Sequence, residues 1–254
     1  MAVAIGLAVV AAVLLGGAVY ARARAPRSVG RCLLLAGVLV GVSASVFGLV
    51  AGDDTLAATD GPVLGWMVAH RTPGLTDLAE AASLFGGTFF TGGLAVLAAL
   101  VLAVRGRRAR AAVWVGAVVV GSLTIRLLKT AVERVRPPLD ARLAVETSAS
   151  LPSGHALMAS LGVGLTVVAV LVLLRDAGVG RPVVREAIVL VGALIVLLVG
   201  TSRTYLGVHW TTDVLAGWML GAALLALAVA MATVLEAGQS EIRPLKGSVD
   251  APVS

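Results

Sequence analysis

The sequence predicts an all-α, polytopic integral membrane protein, a helix bundle of about seven transmembrane helices. Three observations carry that expectation. Of 254 residues, 59% are hydrophobic and 13% charged, with a mean hydropathy of +1.00; soluble domains run at about 45–50% apolar and about 25% charged. Too little polar surface exists to coat a water-soluble globule, which excludes a soluble enzyme or a free nucleic-acid binder. The apolar residues are gathered into stretches of about 20, the length that carries a helix across ~30 Å of hydrocarbon. Basic and acidic segments alternate between them. Helix is the only element that satisfies its own backbone groups in lipid without closing a barrel.

The first stretch, 2–20, is an extra N-terminal span, followed by a basic loop to residue 31. The Ala-Arg-Ala steps at 21–25 resemble small-residue cleavage sites, but no positive charge precedes the apolar run, so the span is expected to stay as an anchor. Stretch 32–51 opens with Cys32, the single cysteine. It is read as a small buried apolar residue, since a lone thiol makes neither an intrachain disulfide nor a zinc site. Segment 52–83 holds Leu64, Met67, Val68, Leu75, Leu78 and Ala82 near helical spacing around Thr72-Pro73-Gly74. This predicts two short amphipathic pieces at the membrane interface, anchored by Trp66. Spans 84–104, 112–128, 155–174, 187–201 and 213–235 follow, the sixth short and expected to extend beyond these bounds. Gly37-x-x-x-Gly41 and Gly217-x-x-x-Gly221 permit close helix approach. Residues 32–235 are thus predicted as a six-helix membrane domain, and 236–254, rich in polar residues, Gly, Pro and Ser, as a disordered tail.

Charge sets the expected topology. The excess of 20 Lys+Arg over 14 Asp+Glu, net +6, is read by position and not as a nucleic-acid signal. Segment 21–31 carries Arg22, Arg24, Arg27 and Arg31, and segment 105–110 carries Arg105, Arg107, Arg108 and Arg110, neither with an acid. Segment 175–186 adds Arg175, Arg181 and Arg185 against Asp176 and Glu186. These three are expected in the cytoplasm. The acidic loop with Asp53, Asp54, Asp60, Asp77 and Glu80 then lies outside, as do 129–154, 202–212 and the N-terminus, with the tail inside.

Three polar clusters interrupt the apolar chain on that outer side, where buried polar groups tend to be functional. In Lys129-x6-Arg136-Pro137, a helix continuing past Leu128 would put Arg126, Lys129, Glu133 and Arg136 on one face, two cations among them. The alternative is snorkelling side chains at a helix end, which the outer location disfavours. In Pro152-Ser153-Gly154-His155, Ser153 reads as an N-cap, so that free N–H groups of a helix start offer an anion site beside a titratable His155. In Ser202-Arg203-x5-His209-x3-Asp213, the i, i+4 spacing lets a carboxylate fix one imidazole nitrogen and free the other to attack, while Arg203 offers a fork for phosphate oxygens. Taken singly, the second and third also read as ordinary helix capping. Two of the three histidines fall in these clusters; His70, the third, is read as a surface residue.

The three motifs, complete and in this order, resemble the type-2 phosphatidic acid phosphatases, membrane lipid phosphate phosphatases related to vanadium haloperoxidases and acid phosphatases. The resemblance runs from about Asp60 to Gly221; between His209 and Asp213 this chain has Trp210-Thr211-Thr212, where many relatives have Tyr-Pro-Ser. It implies a phosphate cradle of Lys129, Arg136, Ser153, Gly154 and Arg203. His209 would be the nucleophile that forms a phosphohistidine, held by Asp213, and His155 the acid that protonates the leaving oxygen and then activates water.

No carboxylate or His/Cys set able to hold a catalytic metal is legible, so metal-independent activity without a cofactor is expected. The expected partners are the bilayer and a lipid phosphate, and no nucleic acid. Outward-facing chemistry favours a polyprenyl (undecaprenyl or decaprenyl) diphosphate in the plasma membrane, with phosphatidic acid or phosphatidylglycerophosphate as the alternative. A lipid phosphotransferase would carry the same motifs. A non-enzymatic transporter is a remote alternative, because a substrate path requires no His–Asp pair at this spacing.

Overall fold

A computed structural model describes residues 2–24, 26–51 and 55–249. Among them the regular structure is helical: α1 (Ala2–Arg24), α2 (Arg27–Ala51), α3 (Thr55–Ala69), α4 (Pro73–Phe85), α5 (Thr88–Val104), α6 (Arg108–Val132), α7 (Gly154–Asp176), α8 (Pro182–Tyr205) and α9 (Thr211–Val249). Five are long and apolar enough to cross a membrane: Arg27–Gly48, Arg108–Val132, Gly154–Asp176, Pro182–Tyr205 and Thr211–Gly238. A sixth span is made if α4 and α5, bent by 49° at Gly86-Gly87, count as one. The apolar part of α1, Ala2–Ala18, is shorter. The expected seven spans therefore become five or six by length and composition among the described residues. The sequence separates these two pieces at residues 83–84, and the structure puts the break a few residues later, at Gly86-Gly87.

The short sixth stretch extends at both ends into α8, which starts on Pro182 at its first turn, where a missing N–H costs nothing. The 52–83 segment forms the two short helices α3 and α4, with Asp53 and Asp54 outside the described residues. Thr72 caps α4 by accepting from the Leu75 N–H, and Pro73 opens it. At the other end of the chain the helix runs through 236–249, where composition predicts disorder. Leu235, Glu236 and Ala237 are good helix formers that carry the helix to the end of the candidate span at Gly238 and on beyond it.

Two close approaches organise the packing. A Cβ on Gly217 would lie 2.6 Å from the Ser153 carbonyl oxygen, so glycine lets α9 press its backbone against the start of α7. A Cβ on Gly37 would lie 2.9 Å from Leu15, which draws α1 onto α2. The main core of Trp114, Leu151, Leu157, Met158, Leu161, Leu165 and Leu220 sits between α5, α6, α7 and α9. There the Trp114 indole donates to the Leu165 carbonyl at 2.9 Å, just past a π-helical turn at Ala159–Val163.

The two ends of the bundle differ. At one, Arg107 pairs with Asp176 at 2.6 Å and Arg110 with Glu236 at 2.5 Å. The other, a helix length away along α6, gathers the ends of α6, α8 and the starts of α7 and α9. All three polar motifs meet there.

Candidate active site

Each motif is delivered by a helix terminus. Lys129 lies in the last turn of α6, which stops at Val132 because Glu133 takes a left-handed conformation, φ 50°. Arg136 therefore stands on a non-helical segment before Pro137-Pro138, not on the continued helical face considered from the sequence. A residue preceding proline avoids the helical region, and the chain leaves the helix early to meet that restriction. The segment brings Arg136 inward, where it is 7% exposed.

Ser153 caps α7, accepting from the Ala156 N–H at 3.4 Å, and its own N–H donates to the Asp213 carbonyl at 3.0 Å. The second motif is thus tied to the third through the backbone. The N–H groups of the first turn, at Gly154 and His155, have no acceptor within the helix. The His155 ring nitrogen Nε2 faces Gly87, where a Cβ would lie 3.8 Å away.

After α8, Gly207 turns the chain with φ +71°. The Val208 and His209 N–H groups then fold back on the Arg203 carbonyl at 3.1 and 3.3 Å. One helix end thereby sets Arg203 and His209 side by side. Asp213, fully buried in the first turn of α9, faces His209 Nδ1 with Oδ2 at 3.4 Å. The same oxygen accepts from the Trp210 N–H at 2.9 Å and from the Ser150 hydroxyl. On the opposite side of the ring, His209 Nε2 lies 3.3 Å from Arg136 Nη1.

The cations share one loop, 146–150. Lys129 Nζ donates to Ser148 Oγ at 2.9 Å and to the Ala149 carbonyl at 2.6 Å. Arg136 donates from Nε to the Ser148 carbonyl at 2.6 Å and from Nη1 to the Val208 carbonyl at 2.5 Å. Arg203, 2% exposed, pairs with Glu146 and donates to the Ser83 hydroxyl. Its Nε is buried with no hydrogen-bond partner among the described residues. Glu146 also reaches Arg136 at 3.6 Å, so one carboxylate stands between two guanidinium groups.

Burial pushes the His209 imidazole down to about 4, with Arg136 and Arg203 adding to the effect and Asp213 opposing it. Burial likewise lowers Arg136, countered by Glu146 and Asp213; an arginine stays charged regardless.

The structure thus brings together Lys129, Arg136, Ser153, Gly154, His155, Arg203, His209 and Asp213, the eight residues singled out in the sequence. It also adds residues that sequence reasoning missed. Arg134 donates to Asp213 Oδ1 at 2.5 Å and to Asp60 Oδ2 at 2.8 Å. Ser83 and Glu146 hold Arg203, Ser148 holds Lys129, and Ser150 donates to Asp213. Arg134 stands inside the six-residue spacer of the first motif, and Asp60 reads in sequence as one more acid of an acidic loop. His70 stays apart from the site, exposed and stacked on Trp66 at 4.4 Å between ring centroids.

An imidazole backed by a carboxylate and fronted by three cations is suited to attack on a phosphorus bearing several anionic oxygens. A family model described as the PAP2 superfamily matches residues 110–236, half of the chain. The chain belongs to the PAP2 superfamily. Within that stretch lie all eight residues above; Asp60 and Ser83 precede it. Phosphatidylglycerophosphatase B of Bacillus subtilis is 38% identical over 96 residues, 38% of this chain and 45% of that protein. An undecaprenyl-diphosphatase of Sulfolobus acidocaldarius is 41% identical over 75 residues, 30% of each chain. The matches span less than half the length of either curated relative. A crystal structure of a transmembrane PAP2-type phosphatidylglycerolphosphate phosphatase from Bacillus subtilis aligns with a TM-score of 0.63 and 27% identity, over 73% of this chain and 93% of that one. The PAP2 chain is accordingly a multi-pass membrane protein with the helical architecture of that neighbour.

Proposed function

We propose that this protein is a membrane lipid phosphatase that works through a phosphohistidine on His209 and acts on a polyprenyl diphosphate at the extracytoplasmic face of the plasma membrane. The observation that carries the reading is the His209 ring held between Asp213 at Nδ1 and Arg136 at Nε2. Lys129, Arg136, Arg203 and the N–H groups of Ser153-Gly154 at the α7 start hold the phosphoryl oxygens. The His209 Nε2 lone pair attacks phosphorus, the bond from phosphorus to the leaving oxygen breaks, and protonated His155 gives that oxygen its proton. Water then attacks the phosphohistidine, His155 takes back a proton, the P–N bond breaks, and orthophosphate leaves. The net reaction consumes one water. Cations and helix N–H groups neutralise charge on the equatorial oxygens, the task a metal performs elsewhere, so turnover is metal-independent.

An apolar groove of about 940 Å³ between α4, α5, α7 and α8 supports a substrate with a long apolar chain. It runs from Val183 and Val184 to Gly86 and Val199, next to Ser83 and Gly87 at the site. The name of the Sulfolobus relative supports the diphosphate reading. The longer match, to a phosphatidylglycerophosphatase, supports phosphatidylglycerophosphate as the second reading. Phosphate release by detergent-purified protein from undecaprenyl diphosphate, phosphatidylglycerophosphate and phosphatidic acid, for wild type and His209→Ala, tests both. The diphosphate is expected to be turned over fastest and the variant to be inactive. Release from the glycerophospholipids alone moves the assignment to the second reading, and an active His209→Ala protein rejects the mechanism.

A further inference from the structure

We propose that Asp60 on α3 and Arg134 are positioning residues that hold the Asp213 carboxylate in register with His209. This rests on the reading of His209 as nucleophile given above. The observation is a chain of charge in which two buried carboxylates meet one partly buried guanidinium. Arg134 divides its terminal nitrogens: Nη1 goes to Asp213 Oδ1 at 2.5 Å and to Thr212 Oγ1 at 2.8 Å, and Nη2 to Asp60 Oδ2 at 2.8 Å. Asp60 is 2% exposed and uses both oxygens on α9 as well, accepting from the Thr212 N–H at 3.0 Å and the Thr212 hydroxyl at 2.6 Å. The Trp210 ring covers the guanidinium at 5.8 Å, and its indole N–H is fixed to the Val135 carbonyl at 2.9 Å.

Two buried carboxylates share one guanidinium here. A buried ion pair need not add stability over an apolar substitute, and its surest product is a fixed geometry. The geometry fixed is that of Asp213. With Oδ1 pinned by Arg134, the carboxylate cannot rotate, and Oδ2 is left to the Ser150 hydroxyl, the Trp210 N–H and His209 Nδ1. Arg134 stands on the non-helical segment after α6, and Asp60 gives its second terminal nitrogen a charged partner beside the Thr212 and Trp210 contacts. Asp60 lies outside the stretch 110–236 that matches the PAP2 model. The inference therefore assigns α3, which carries none of the three motifs, a part in the reaction.

The test compares full-length Asp60→Asn, Arg134→Gln, Arg134→Lys and the Asp60→Asn/Arg134→Gln double variant in detergent, by steady-state phosphate release, orthovanadate inhibition and thermal unfolding. Each of Asp60→Asn and Arg134→Gln is expected to lose about 10- to 100-fold in kcat, as loss of an outer-shell orienting partner does elsewhere. KM and the vanadate inhibition constant change little, because the cradle cations are untouched. The double variant falls no further than the worse single one, since both act through one contact, and Arg134→Lys recovers part of kcat. Unchanged kcat, independent losses that multiply, or parallel collapse of kcat, KM and vanadate binding would overturn the inference. So would misfolding of all four variants, which marks the network as scaffold alone. Turnover that survives His209→Ala instead defeats the mechanism proposed above, and the two failures are thereby told apart.

Discussion

Arg136 Nη1 stands 3.3 Å from His209 Nε2, and a guanidinium has hydrogens to give but no lone pair to accept with. Nε2 is thus the unprotonated nitrogen, and the ring hydrogen sits on Nδ1, toward Asp213. Burial holds the imidazole near 4, below the ordinary value of about 6.5. The acid limb of kcat/KM due to the nucleophile is expected near pH 4, for a substrate whose own ionisation is accounted for. The sign for stability follows from linkage. Between about 6.5 and about 4 the unfolded chain takes a proton on His209 that the folded chain refuses, so stability falls as pH drops through that window. Thermal unfolding in detergent from pH 7 to 4.5 checks this: His209→Gln should show a shallower fall than wild type, and parallel curves would contradict the assignment.

Glu146 supplies a second prediction. Its carboxylate pairs with Arg203 and reaches Arg136 at 3.6 Å, where the oxygens of a bound phosphate would need the same cations. Under the proposed mechanism, substrate would have to displace it. Glu146→Gln is expected to lower KM and the vanadate inhibition constant by several-fold, on the order of 1 kcal/mol for a part-exposed pair. The same change should lower the unfolding temperature of the free protein by leaving the cations uncompensated, and millimolar orthophosphate should restore it. A rise in KM would show instead that Glu146 serves to orient Arg203.

Chelation gives the third. Among the described residues no three His, Cys, Asp or Glu side chains cluster as metal ligands, and the proposed mechanism gives the task of facing the phosphoryl group to side-chain cations. Turnover in excess EDTA is expected to equal that in buffer. A loss reversed by Mg²⁺ would defeat the metal-independent mechanism.

Local features of this site were legible in the sequence, and features joined across the chain were not. Ser153 as a cap, and His209 four residues before Asp213, are relations between near neighbours in the chain, which spacing alone encodes. The bonds from Arg134 to Asp213 and Asp60 span 79 and 74 residues, and no periodicity reports a contact of that separation. Arg136 shows a subtler failure. Helical spacing put it on the α6 face, yet the proline that follows bars that conformation, and the segment reaches the site only by leaving the helix. The bend between α4 and α5 was legible to within a few residues, because the acids Asp77 and Glu80 of α4 give way to the uncharged, apolar α5.

That bend bears on the last prediction. Gly86 sits where α4 meets α5, packed so closely on Val199 that a Cβ would collide with its side chain. The apolar groove between α4, α5, α7 and α8 ends at this junction, beside the serine that binds Arg203. If the groove holds the substrate chain, narrowing it at mid-depth should penalise long-chain substrates and spare short ones, because chain burial contributes about 0.8 kcal/mol per methylene. Val191→Trp, remote from the polar site, is therefore expected to raise KM for undecaprenyl diphosphate by tenfold or more, about 1.4 kcal/mol, while turnover of a short-chain isoprenyl diphosphate stays near the wild-type rate. Equal effects on both substrates would separate the groove from chain binding and leave the headgroup chemistry at His209 as it stands.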